Sequence, residues 1–165
     1  MMKRLALVSC VAALALAGCG SSNNNNNNPT GPSNTTVFTV NLLPSNEVPP
    51  VTNAESTGRG TAVVTVHKDT NTIDFSVSMT GFPNGTIIRA AHIHPGNAGT
   101  NGGVLVDTGL TGAGGVTLDN GSGTFTRSNT TTAENITNIL ANPQGFYFNI
   151  HSATNGGGVA RGQLR

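Results

Sequence analysis

Thr72-Ile73-Asp74-Phe75-Ser76-Val77-Ser78-Met79 is the most regular stretch of the chain. Ile73, Phe75, Val77 and Met79 fall on one side of an extended backbone, and Asp74, Ser76 and Ser78 on the other. That alternation specifies a half-buried strand. The same period of two runs upstream. Phe38, Val40 and Leu42 alternate with Thr39 and Asn41, and Ala62, Val64 and Val66 alternate with Val63, Thr65 and His67. Asp69-Thr70-Asn71 supplies a hairpin turn between two of these segments. Further strands are expected at 87–94, 103–108, 122–127, 145–151 and 159–165, with Gly and Asn punctuating the gaps. Eight short strands with turn chemistry between them predict an all-β fold, a Greek-key antiparallel β-sandwich or barrel.

One segment departs from this period. In Thr130–Pro143, Thr131 stands three residues before Glu134, the spacing of a capping box. Ile136, Ile139 and Leu140 then share one helical face, and Pro143 closes the segment. A short helix is expected near 132–141, plugging one end of the core.

Composition agrees with strands and turns. Gly, Thr and Asn number 22, 23 and 21 of 165 residues, a bias away from helix. Lys3-Arg4, an apolar run from Leu5 to Leu16, and the small residues Ala17 and Gly18 before Cys19 form a secretory signal. The apolar run is too short to span a bilayer as a mature helix. Leu16-Ala17-Gly18-Cys19 resembles the bacterial lipobox. That resemblance implies lipidation of Cys19, a membrane partner through the lipid anchor, and an outer-membrane, periplasmic or cell-surface address in a bacterium. Gly20 stands where Asp would favour inner-membrane retention. Without residues 1–18, six basic and seven acidic side chains remain. This balance excludes a nucleic-acid binder and a polybasic membrane module. Residues 19–36 are the lipidated Cys and a polar, Asn-rich tether with no large apolar side chain before the domain at 37–165. Cys10 leaves with the signal and Cys19 carries lipid, so the domain has no disulfide, no reactive thiol and no Cys-based zinc site.

Chemistry then falls to histidine. His67 reads as a surface residue beside Lys68 and Asp69. His92 and His94 stand two apart in Ile87–Gly96, so a strand presents both on one face while Ala91 and Ile93 point to the core. His151 shares its face with Tyr147 and Asn149, opposite Phe146, Phe148 and Ile150. If these strands are neighbours, His92, His94 and His151 form a three-nitrogen site with an open position, suited to copper or zinc. The competing reading is structural: the imidazoles hydrogen-bond carbonyls of loops 95–103 and 153–158 and hold those loops down. Ser152 follows His151 and points to the opposite face, which excludes a dyad between them. Glu47, in a Pro-bounded loop, is the remaining acid of interest. It is placed to accept backbone N–H bonds, to accept from a histidine, or to pair with Arg161.

Asn46-Glu47-Val48-Pro49-Pro50, Ala91-His92-Ile93-His94, Phe146–Ser152 and Arg161-Gly162-Gln163-Leu164, in that order, resemble the CHRD domain, a family named from chordin and widespread in secreted bacterial proteins. Asn101–Val104 resembles the family's segment after its His-x-His. Val159 departs from the pattern, standing where the family carries an acid. The resemblance implies a sandwich and no settled activity. The His-x-His strand and the late Asn-Ile-His also resemble copper/zinc superoxide dismutase. That enzyme needs six histidines, an aspartate and a disulfide, so three clustered histidines without cysteine argue against its activity here. Arg161 stands either to steer anions or to lock the last strand to the Glu47 loop. The primary expectation is a non-catalytic, lipid-anchored binding or structural module with an unidentified protein or envelope partner. A mononuclear copper or zinc protein, a carrier or redox-related, is the alternative.

Overall fold

The computed structural model describes residues 34–165. The expected signal at 1–18, Cys19 and nearly all of the expected tether lie outside the described residues. Nine strands run β1 Thr35–Leu42, β2 Arg59–His67, β3 Thr72–Thr80, β4 Thr86–Pro95, β5 Val106–Asp107, β6 Val116–Leu118, β7 Gly123–Thr130, β8 Phe146–Ser152 and β9 Ala160–Gln163. Among the described residues one α-helix, α1, spans Ala133–Ala141 between β7 and β8. The first strand begins at Thr35, two residues inside the expected tether.

All pairings are antiparallel. One sheet has the order β1-β2-β3-β7; the other has β5-β4-β8-β9, with β6 also paired to β4. The pairs β3–β7 and β4–β8 join strands distant in sequence, as Greek-key connections do. The sheets stay open and meet at one corner, where Leu43 and Arg161 exchange backbone hydrogen bonds of 3.2 and 3.3 Å. The fold is therefore a sandwich and not a closed barrel.

Alternation puts the apolar set where it was expected. Ile73, Phe75, Val77 and Met79 of β3 are buried against Ile88, Ala91 and Ile93 of β4 and Phe148 and Ile150 of β8. Phe75 and Phe148 stack across the gap with ring centroids 5.5 Å apart. Helix α1 buries Ile136 and Ile139, and Leu140 packs at the core edge. Its N-cap is Thr132, which accepts from the Asn135 N–H, one residue later than the expected Thr131–Glu134 frame. Thr131 Oγ1 instead takes the Asn135 side-chain amide. Strand β6 was not expected: Val116-Thr117-Leu118 is too short to show a period. The strand expected over 103–108 contracts to Val106–Asp107.

Strand β4 carries an irregularity between Ile88 and Ala90. Unbroken alternation back from Ile93 and Ala91 would turn residue 89 inward. The bulge resets the phase, so Ile88 is fully buried and Arg89 is exposed.

Candidate functional site

The pairing β4–β8 brings the three histidines together. His92 lies opposite Asn149, His94 opposite Tyr147, and His151 opposite Ala90. Their candidate ligand nitrogens all fall within 4.8 Å of one another. His92 Nδ1 is 3.1 Å from His151 Nε2. Two nitrogens sharing a tetrahedral ion at about 2.0–2.1 Å would stand roughly 3.3–3.4 Å apart, so this pair needs almost no movement to share one.

The face that carries these residues was expected to be the outer one. It is an outer face, yet Tyr147 and Asn149 are each 2 % exposed, and His94 and His151 are 6 % and 9 % exposed. Loops fold over it and are held by the imidazoles. His94 Nδ1 donates to the carbonyls of Gly102 and Gly103 at 3.1 and 3.0 Å. His151 Nδ1 donates to Gly156 O at 3.0 Å. His151 makes no hydrogen bond to Asn149. These bonds fix the proton on Nδ1 of both rings and leave Nε2 as a lone-pair donor. His94 Nε2 is buried and has no partner.

His92 is set differently. Its Nδ1 faces His151 Nε2, and its Nε2 is 3.8 Å from Asp107 Oδ1. Without metal, Nδ1 holds the proton and donates to His151. Were His92 to ligate through Nδ1, its proton would sit on Nε2, beside the Asp107 carboxylate. Burial lowers the pKa of all three imidazoles, that of His151 to about 4, against a smaller raising effect of Asp107 on His92 and of loop carbonyls on the other two. All three are therefore neutral, the metal-ligating form, at neutral pH.

A polar row continues across the sheet, since Asn149 is paired with Arg161 of β9. Arg161 is 1 % exposed. Its Nε donates to Asn46 O at 2.7 Å, and its Nη1 to Thr100 O and Asn101 Oδ1 at 3.1 and 2.8 Å. Its guanidinium sits 4.4 Å from the centre of the Tyr147 ring, and Tyr147 stacks on His94 at 4.9 Å. Arg161 thus locks the last strand to the Glu47 loop, one of the two roles expected of it. It does so through carbonyls: among the described residues no ion pair joins it to Glu47. Glu47 is 5 % exposed and shares a hydrogen bond with the Asn149 side chain. Neither a histidine nor a backbone N–H bonds its carboxylate among the described residues, which corrects those two expectations; Arg161 acts on it through its charge. Desolvation raises its pKa to about 7, despite lowering by Arg161 and Asn149.

His67 is a half-exposed residue bound to Asp74 at 2.8 Å, apart from the cluster. Ser152 points away from His151, as expected, and donates to Glu55 Oε2 at 2.6 Å. Asn155 donates to the same oxygen, which pins the loop that carries Gly156. Sequence reasoning passed over Asp107 and Glu55, and placed Tyr147 on the histidine face without a role. Asp107 sits in an expected strand, but nothing local placed that strand beside His92.

The CHRD domain profile matches residues 38–164. No curated protein and no solved structure matches the chain. The match runs from Phe38, the first buried residue of β1, to Leu164, the last buried leucine, and reaches every strand of the sandwich, so this chain belongs to the CHRD domain family.

Proposed function

We propose that this CHRD domain is a non-catalytic metal-binding module that holds one copper or zinc ion through His92, His94 and His151. One observation carries the reading. Loop carbonyls fix two imidazoles with Nε2 free, and the buried Nε2 of His94 has no partner although such an atom costs about 1–3 kcal/mol when unsatisfied. The donor set is three neutral nitrogens, which suits either metal. The ion would supply a Lewis-acidic centre with one open position. The chain's own residues orient the rings and keep them uncharged. The carbonyl bonds of His94 and His151 also favour the purely structural reading, in which the rings only fasten loops. By its lipobox, the module belongs on the bacterial envelope, tethered through Cys19.

The experiment uses the whole chain as Cys19→Ser, loaded separately with copper and zinc and then dialysed. About one ion per chain is expected, with a melting temperature raised by several degrees through linkage. His92→Ala/His94→Ala/His151→Ala should lose the ion. No metal above background in the parent chain sinks the proposal and leaves the loop-fastening role. Fractionation of the unmodified chain against Cys19→Ser tests the anchor: only the former should enter the membrane fraction.

A further inference from the structure

The histidine cluster is not sealed. A cleft of about 650 Å³ opens onto His92 and His151, with His94 buried behind them, and its walls include Arg89, Ala90, Val104 and Ala153. Arg89 is there because the β4 bulge turns it outward; regular pairing would have sent that position to the core. Its guanidinium makes no hydrogen bond or ion pair among the described residues. Asp107, which approaches His92 Nε2, does not line the cleft. Val104, on the wall, is 57 % exposed although it is apolar.

This inference rests on the metal reading above. Three imidazoles are uncharged donors, so only Asp107, beside His92, would offset part of the double charge of the ion. Arg89 adds a further positive charge in the same cleft. The cleft therefore favours an anion. A single guanidinium presents a planar fork that matches a carboxylate. A phosphate dianion would call for more donors than the walls supply. Ala90, Val104 and Ala153 offer apolar surface to a short carbon chain. We infer that the cleft binds a small organic carboxylate, held between the open position of the ion and Arg89.

The copper-loaded Cys19→Ser chain is titrated with azide, read by the visible charge-transfer band, and the azide is then displaced with acetate, butyrate and butyramide. Butyrate should displace azide at lower concentration than acetate, and butyramide should not displace it. Arg89→Ala should keep its copper and its melting temperature, because the side chain is exposed, while butyrate binds about tenfold more weakly. Arg89→Lys should fall between the two, keeping charge but losing the fork. Equal butyrate affinity in Arg89→Ala and the parent overturns the inference, as does equal competition by butyramide. Copper bound without any response to azide sinks the inference alone. Absence of copper from the parent chain sinks the metal reading, and this inference with it.

Discussion

Glu47 stands in a loop between two strands, yet its carboxyl is buried and titrates near 7 in the fold against 4.5 for an ordinary glutamate. A raised carboxyl pKa means that the folded state holds a proton the unfolded chain would release. The stability this gives is complete below pH 4.5 and is lost as pH rises through 7. Glu47→Gln removes the titration. The variant should match the parent near pH 4.5 and exceed it at pH 8 by up to ~3 kcal/mol. Urea denaturation at the two pH values measures this, and equal differences at both would refute the burial argument. Asp107 makes a second residue-scale prediction. Asp107→Asn removes the charge beside His92 Nε2, so metal affinity should fall about tenfold or more while the metal-free fold stays intact. Competition with a chelator reads the affinity.

At the scale of elements, the loop between β4 and β5 depends on Gly102. A Cβ there would overlap the Pro95 carbonyl oxygen, which is backbone and cannot swing aside. Gly102→Ala should displace the carbonyls that orient His94, costing about 2 kcal/mol or more and weakening metal binding. Loss of stability without loss of affinity would show that the loop does not set the ring. In α1, Ile139 is fully buried, and Ile139→Ala should cost about 2–4 kcal/mol in thermal or urea unfolding. Strand period and helix face were legible because each repeats over several residues. Ile73 through Met79 and Ile136 through Leu140 show this directly. The His-x-His pair was legible for the same reason. Strand β6 was hidden by its three-residue length, and the helix cap shifted by one because Thr131 and Thr132 both offer a hydroxyl. The pairing of Asp107 with His92 across the loop that joins β4 to β5, and the burial of Asn149 and Glu47 beneath loops, follow from tertiary packing that no local pattern encodes.

At the scale of the molecule, two opposed titrations meet on one sheet face. Burial lowers His151 from 6.5 to about 4, so the unfolded chain binds the extra proton and stability falls as pH drops from 6.5 toward 4. His92 and His94 act in the same direction. Glu47 acts in the opposite direction over 4.5 to 7. Glu47 therefore offsets His151, and the slope left to the metal-free parent between pH 4.5 and 6.5 is that of His92 and His94. Glu47→Gln should steepen that slope, with stability rising more sharply toward neutrality. Equal slopes in parent and variant over that window would contradict the compensation.

The hydrophobic core and the histidine cluster lie on opposite faces of the same sheet. Phe148 and Ile150 pack inward, whereas Asn149 and His151 face the loops. A zinc finger collapses when stripped, because its ligands stand in for a core. Here chelation would empty the site and leave the sandwich standing. If the proposed ion is held there, the domain would surrender it and be recharged many times over, a reusable vessel whose service life is not limited by refolding.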